Sequence, residues 1–320
     1  MNGKDLRIVF FGTPEIAAIE LEHLVKNGYN VVGVVTNEDK PQGRGKHVAA
    51  CEVKVTADSL GLKVLQPHSM KDAEFLNCLQ SLNADIQIVV AFRMLPKEVY
   101  AMPPMGTFNL HTSLLPEYRG AAPINRAIIN GDKLTGITTF LLNDKTDCGE
   151  ILLQRKIEIT DDMNAGMLYD IMADKGRELI TDTLELSARG NFTTIQQDMN
   201  AKYRPAPKIF KQDTFINCDD KAENVRNFIR GMSPYPTAKI AFKDLMQDKI
   251  YEFKVFESRI YGSEVKNSVG DCWIENKSSI LLQCANGILE LTDLQLNGKK
   301  RMPASELIKG LRTEGILKKI

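Results

Sequence analysis

The sequence predicts an open α/β fold on a parallel sheet, followed by a smaller domain made mainly of β-strands. Through the first half of the chain, short apolar runs alternate with amphipathic stretches. That order is typical of a Rossmann-like parallel sheet with right-handed crossovers. A polar stretch near residues 190–210 contains two closely spaced prolines, and beyond it the apolar period changes to the two residues of a strand.

The predicted strands of the first domain are short buried runs rich in Val, Ile and Phe. Between them, residues 14–26 and 71–82 show apolar side chains at helical spacing. At the first of these helices, Thr13 can cap the helix and Pro14 can open it. A longer helix near residues 164–188 would complete the domain. The strands are predicted at residues 8–11, 31–35, 64–65, 86–91 and 107–110.

The second domain is predicted from turn signals between short alternating strands. Residues 222–231 predict one short helix, and residues 250–255 then alternate with a period of two. Glycine-containing turns separate such strands, which is typical of a small β-barrel or sandwich. We therefore expect a first domain at residues 1–189, a linker at 190–210 and a barrel domain at 211–320.

The composition is that of an ordinary globular chain. The 320 residues are 43% hydrophobic and 26% charged, near the usual values. No apolar run approaches the roughly 18–20 residues that a membrane span needs, and we expect no signal peptide ahead of the first strand pattern. Six cysteines are scattered without a C-x-x-C pair, which indicates neither a disulfide framework nor a zinc site. We expect a cytoplasmic protein without a bound metal or a membrane partner.

The charge is divided unevenly along the chain. Residues 1–200 carry 20 Lys and Arg against 26 Asp and Glu, whereas residues 201–320 carry 21 against 15. A basic half favours a polyanionic partner, because Lys and Arg gain affinity by releasing counterions from phosphates. A chance unevenness of solvated faces would give the same totals.

The most informative segment runs from Gly106 to Gly120. Asn109 and His111 are two residues apart at the end of a predicted strand, so their side chains share a face. The carboxyl ends of parallel strands are where such sheets bind ligands. An amide that can stabilise an oxyanion beside an imidazole that can move a proton suits acyl transfer. The alternative is a histidine with a structural role only.

A polar loop at residues 143–150 carries carboxylates that could fold back toward His111 and favour its protonated form. Asp and Gly are also the usual residues of a hairpin loop, so both interpretations stay open. The first strand-to-helix turn, at Gly12, lacks the G-x-G-x-x-G fingerprint. A nicotinamide-dependent oxidoreductase is therefore not predicted.

Taken together, these motifs resemble those of a known family. The chain carries Asn-x-His, then Ser-Leu-Leu-Pro-x-Tyr-Arg-Gly-Ala-Ala-Pro-Ile, and an Asp-x-Gly about 36 residues after the histidine. This set resembles the 10-formyltetrahydrofolate-dependent formyltransferases. Residues 7–14, 36–46, 233–236 and 297–302 resemble, more narrowly, the branch of the family that formylates methionyl-tRNA. The resemblance covers nearly the whole chain.

The resemblance implies an enzyme that transfers the formyl group of 10-formyltetrahydrofolate to the α-amine of initiator methionyl-tRNA. No metal and no obligate protein partner are implied. By match to the family's motifs, Asp147 rather than Asp144 would act in the site. The catalytic residues would be Asn109, His111 and Asp147.

The resemblance also implies where the two substrates bind. Arg44 and Lys46, in the loop at residues 36–48, would reach the tRNA, and the basic second domain would be an OB-like barrel that holds it. Residues 91–96 lie where the family's pterin pocket runs and are one residue shorter than its usual pattern. The residues that would line the folate site are Ser113, Leu114, Leu115 and Pro116.

Two other functions share part of this evidence. A formyltransferase acting on a sugar-nucleotide or another small amine would keep the same three catalytic residues, but would not need the cation-bearing loop and the basic second half. An RNA-binding protein that has lost catalysis would have no physical need for all three. Retention on immobilised tRNA at low salt, lost at high salt, separates the small-amine enzyme from the others.

Overall fold

The computed structural model describes residues 2–42, 47–190, 193–311, 313 and 315–320, and the chain forms two compact units. Neither unit is one continuous stretch of sequence. The first combines Met1–Gly120, Thr135–Ile157 and Asp170–Pro205, and the second combines Ala121–Leu134, Glu158–Tyr169 and Ala206–Ile320. The expected domains at residues 1–189 and 211–320, with a linker at 190–210, therefore stay a prediction.

The helix ends follow from local hydrogen bonds. The third helix begins two residues later than predicted, because the Asp72 carboxylate accepts from the Phe75 backbone N–H and caps it there. Thr13 does not cap the first helix, and its hydroxyl accepts from the Asn37 amide instead. None of the described helices is long and apolar enough to cross a membrane. They are α1 (Glu15–Lys26), α2 (Glu52–Ser59), α3 (Ala73–Ser81), α4 (Lys97–Tyr100), α5 (Pro123–Ile129), α6 (Ala165–Arg189), α7 (Ala222–Met232) and α8 (Ala304–Lys309), with 3-10 turns at Gly3–Asp5 and Lys211–Thr214.

A sheet forms the centre of the first unit. Its strands and those of a separate hairpin are β1 (Ile8–Gly12), β2 (Val31–Val35), β3 (Lys40–Gln42), β4 (His47–Ala49), β5 (Val64–Leu65), β6 (Ile86–Val90), β7 (Thr107–His111), β8 (Leu134–Leu141) and β9 (Ile151–Glu158). Seven of them form one sheet in the order β5-β2-β1-β6-β7-β8-β9, and β3 pairs with β4 alone. Pairing is parallel from β5 to β7 and antiparallel between β7 and β8. The predicted open parallel sheet is thus confirmed, and its last parallel strand carries two of the three candidate catalytic residues, Asn109 and His111.

The second unit contains an antiparallel barrel. Its strands are β10 (Ala238–Asp244), β11 (Lys249–Gly262), β12 (Cys272–Glu275), β13 (Ser279–Cys284), β14 (Gly287–Leu296), β15 (Met302–Pro303) and β16 (Leu317–Lys319). They follow the order β11-β10-β16-β12-β13-β14-β15, and an additional pairing of β11 with β14 closes six of them into a ring. Inward-facing side chains such as Phe242, Phe253 and Leu289 are buried in its core. The predicted small barrel is confirmed.

Helix α5 belongs to the second unit, although it lies between two strands of the first unit in sequence. It packs on α7, where the Asn125 amide donates to the Gly231 carbonyl at 2.8 Å. A Cβ at Gly231 would lie 2.5 Å from the Ile129 side chain. Only a glycine therefore lets the two helices approach this closely.

Glu20 of α1 is fully buried in the first unit. Its exposed fraction is 0%, and neither carboxyl oxygen has a hydrogen-bond partner among the described residues. A Cβ at Gly176 of α6 would lie 2.5 Å from Oε1, so the carboxyl packs directly against that helix. Burial raises the pKa of Glu20 to about 9; Arg177 opposes this shift and Asp174 adds to it. The side chain is therefore uncharged at neutral pH.

Candidate active site

Strand β7 places Asn109 and His111 at its carboxyl end, between β6 and β8. Their spacing of two puts both side chains on one face of the sheet, as the sequence predicts. Asn109 Oδ1 is buried and has no hydrogen-bond partner among the described residues. Since buried polar atoms are rarely left unpaired, this oxygen indicates a place for a polar group of a substrate.

The ring of His111 has two different neighbours. Its exposed fraction is 6%, and Nε2 lies 2.9 Å from the carbonyl oxygen of Tyr118. A carbonyl can only accept, so Nε2 carries a hydrogen and donates it. Nδ1 lies 4.0 Å from Asp147 Oδ2. In the neutral ring the free lone pair is therefore on Nδ1, the nitrogen that faces the carboxylate.

Asp147 lies in the loop between β8 and β9, in a left-handed backbone conformation with φ +53°. Its Oδ2 accepts from the backbone N–H of Gly120 at 2.8 Å. A Cβ at Gly149 would lie only 1.6 Å from the carbonyl oxygen of Leu141. Steric contact therefore explains the glycine of the Asp-x-Gly motif, because only a residue without Cβ lets the loop return this close to β8.

A cavity of about 400 Å³ opens beside these residues, and both Asn109 and Asp147 line it. Its other walls come from residues 89–100 and from residues 142–146. The Tyr100 hydroxyl donates to the Asp144 carboxylate inside it, and this hydrogen bond raises the pKa of Tyr100. Tyr100 carries no sequence signal, and the resemblance favours Asp147 over Asp144. The pairing of β6 with β7 is the feature that brings the residues after β6 close to Asn109.

Residues 113–116 form a tightly bonded turn after β7. The Ser113 hydroxyl donates to the Glu117 carbonyl at 2.6 Å. The Thr138 hydroxyl donates to the Ser113 carbonyl and accepts from the Leu115 N–H, at 2.7 and 3.2 Å. Ser113, Leu114, Leu115 and Pro116 are not among the residues that line the 400 Å³ cavity, and their predicted contact with folate stays a prediction.

Arg44 and Lys46 lie outside the described residues. Their predicted contact with tRNA therefore also stays a prediction. Within the described ranges, no group of three or more His, Cys, Asp or Glu side chains is arranged to hold a metal ion.

Comparison with known proteins places this site in a family. Residues 6–184 match the family model described as formyl transferase, and residues 208–312 match that of the formyl transferase C-terminal domain. A methionyl-tRNA formyltransferase of Flavobacterium johnsoniae is 46% identical over 96% of this chain and 96% of its own. One of Parabacteroides distasonis is 45% identical over 98% of each chain. The chain belongs to the methionyl-tRNA formyltransferase family.

This membership confirms the resemblance that the Asn-x-His and Asp-x-Gly motifs indicate. The fold of the methionyl-tRNA formyltransferase family is shared more widely. The solved structure of WlaRD, a sugar 3N-formyltransferase studied with dTDP and 5-N-formyl-tetrahydrofolate, has a TM-score of 0.63 and 17% identity. The similarity covers 92% of this chain and 99% of that one. At this identity it shows the common fold alone.

Proposed function

We propose that this protein transfers the formyl group of 10-formyltetrahydrofolate to the α-amine of initiator methionyl-tRNA. The product is N-formylmethionyl-tRNA, which serves translation initiation in the cytoplasm. The observation that carries the proposal is the pairing of His111 with Asp147 beside the Asn109 oxygen, which has no hydrogen-bond partner among the described residues. The chain that carries this arrangement is similar to methionyl-tRNA formyltransferases along nearly its whole length and theirs.

The geometry supports a role for each of the three side chains. Attack of the amine on the formyl carbon forms a C–N bond and puts negative charge on the formyl oxygen. The Nδ2 group of Asn109 and a protonated His111 stabilise that charge by donating hydrogen bonds to it, which leaves the Asn109 oxygen free to accept from the attacking amine. Because Nε2 is bonded to Tyr118, the ring acts through Nδ1, next to Asp147. Asp147 supports the positive ring and helps to take the proton that the amine loses. The bond between the formyl carbon and N10 of the folate then breaks, and N10 takes up a proton as it leaves.

We further propose that the cavity beside Asn109 takes the pterin end of the folate. Its apolar wall, with Phe92 and Leu95, suits a flat ring, and its polar wall, with Tyr100 and Asp144, can hydrogen-bond a ring edge. Residues 113–116, in the turn that follows β7, would contact the same co-substrate. The co-substrate leaves deformylated, and the reaction needs no metal.

Phosphate contacts from Arg44, Lys46 and the basic residues beyond 200 would hold the tRNA. If so, the affinity for tRNA falls as salt rises, because each neutralised phosphate releases counterions. Arg44→Ala tests the loop directly. A variant that formylates as fast as the parent protein at limiting tRNA would remove the loop from this role.

The proposed function is tested with purified protein, charged initiator tRNA and 10-formyltetrahydrofolate. We expect formylmethionyl-tRNA, detected by acid gel or by mass, and its loss in His111→Ala. His23→Ala is the matched control, since this histidine lies on α1, where its ring contacts Asn27, and does not line the cavity.

Two other results would redirect the proposal. Formylation of a sugar-nucleotide amine instead of the tRNA would favour the small-amine enzyme, whose fold is the same. Tight tRNA binding without turnover of any amine would indicate an RNA-binding protein.

A further inference from the structure

Gln197 is the one buried residue of the segment 193–205, with an exposed fraction of 8%. This segment follows α6 and belongs to the first unit. Its other residues are exposed or half-exposed. A primary amide that is buried in an otherwise exposed segment must find partners for its donors and acceptor.

All the hydrogen-bonding capacity of the Gln197 amide is used. Nε2 donates to the carbonyl oxygens of Asp147 and Gly149, at 3.0 and 2.7 Å. Oε1 accepts from Nε and Nη2 of Arg119, at 3.1 and 2.6 Å. Arg119 can only donate and the two carbonyls can only accept, so the amide has one possible orientation.

The other side of this network reaches His111. Arg119 lies between Tyr118, whose carbonyl accepts from the His111 ring, and Gly120, whose N–H donates to the Asp147 carboxylate. Three consecutive residues therefore contact His111, Gln197 and Asp147 in turn. The Arg119 guanidinium also stacks on the Tyr203 ring, 4.3 Å from its centre, which fixes its direction.

We propose that Gln197 is a positioning residue for formyl transfer. It holds the main chain on both sides of Cys148, and so sets where the Asp147 carboxylate stands relative to His111 Nδ1. The inference rests on the proposed function, because it assumes that Asp147 and His111 act together. Gln197 itself does not line the cavity. It bonds the main chain of the Asp147 loop, and its hydrogen bonds reach neither the His111 ring nor the Asp147 carboxylate.

The chemistry of the contact explains the residue type. Methionine fills a similar volume but bonds to neither carbonyl. Asparagine keeps the amide but is one methylene shorter, so it cannot reach Asp147, Gly149 and Arg119 together. Glutamate would place a carboxylate against two carbonyl oxygens. Without the amide, the left-handed turn at Asp147, with φ +53°, loses two of the hydrogen bonds that hold its main chain in place.

We expect Gln197→Met to lower kcat by about 10- to 100-fold, since a displacement of about 1 Å in a catalytic group can cost that much. The KM values for methionyl-tRNA and for the formyl donor should stay within about twofold, because binding residues are untouched. The matched control is Gln196→Met. Gln196 is the exposed neighbour and bonds only Glu150 in the described structure, at 3.3 Å; its kcat should equal that of the parent protein.

A second readout reports the position of the loop without turnover. The Gly120 N–H that donates to Asp147 should exchange with deuterium at least tenfold faster in Gln197→Met, with an unchanged melting temperature. If the methionine variant does not fold, Gln197→Asn takes its place, with the same kinetic pattern and a smaller loss of kcat.

The assays separate the inference from the function on which it rests. Asp147→Asn is measured beside the Gln197 variants. If it is inactive while Gln197→Met and Gln197→Asn keep the parental kcat, Gln197 has no positioning role and the proposed site stands. Changes in KM alone would also overturn the inference. A fully active Asp147→Asn would overturn the site and the inference together.

Discussion

Replacement of the buried Glu20 by glutamine should stabilise the first unit at neutral pH. Glu20 has no hydrogen-bond partner among the described residues. It is uncharged in the folded protein, where its pKa is about 9. In the unfolded chain the carboxyl ionises near 4.5, the ordinary pKa of a glutamate. Between these two values the folded state binds a proton that the unfolded state has lost, so stability falls as pH rises.

The size of the effect follows from the two pKa values. At about 1.4 kcal/mol for each unit, the interval from 4.5 to 7 amounts to about 3 kcal/mol of lost stability at pH 7. At pH 5 the same cost is about 1 kcal/mol or less. Glutamine has the shape of the protonated acid and does not titrate. The stability advantage of Glu20→Gln over the parent protein should therefore grow by about 2 to 3 kcal/mol as the pH rises from 5 to 7.

The assay must report on the first unit. Trp273, the single tryptophan, lies on β12 of the second unit, so its fluorescence does not serve. Hydrogen exchange of α1 peptides in increasing urea, corrected for the intrinsic effect of pH, gives the opening free energy. Glu22→Gln on the same helix is the control, since Glu22 is exposed and pairs with Lys26.

Two outcomes would refute this reasoning. A stability difference between Glu20→Gln and the parent protein that is the same at pH 5 and pH 7 would mean that Glu20 does not take up a proton on folding. A parent protein that is the more stable of the two at pH 8 would mean that its carboxylate is charged and has a partner.

Three further variants test the site. Gly149→Ala should lower kcat at least 100-fold, because its Cβ would lie 1.6 Å from the Leu141 carbonyl oxygen and must push the Asp147 loop away; parental kinetics would refute this. Asn109→Ala should lose about 10²–10³ in kcat, as for other oxyanion donors, and a change in KM alone would argue against that role. Tyr100→Phe, which frees Asp144, should raise the KM for the formyl donor several-fold with kcat retained; a parental KM would place the folate elsewhere.

Local patterns in the sequence predict the elements well, and they predict contacts across the chain poorly. The apolar runs and their spacing identify the parallel strands and the long helix α6, because period and burial are local properties. The shared face of Asn109 and His111 follows from a spacing of two. Glu20 and Gln197 gave no such signal. The residues that contact them are about 50 to 155 positions away in the sequence. A single polar residue in a sequence does not show whether it will be buried.

The composition of the second unit has a consequence for dividing this chain. Because the unit takes α5 from the middle of the sequence, a cut near residue 205 does not release two self-sufficient pieces. The leading fragment would keep α5 without α7, and Ile129 and Asn125 would lose the surface that they pack on. The trailing fragment would expose the matching face of α7. Exchange of the barrel between relatives therefore requires three segments to move together, because a single recombination point in the linker would combine α5 of one relative with α7 of the other.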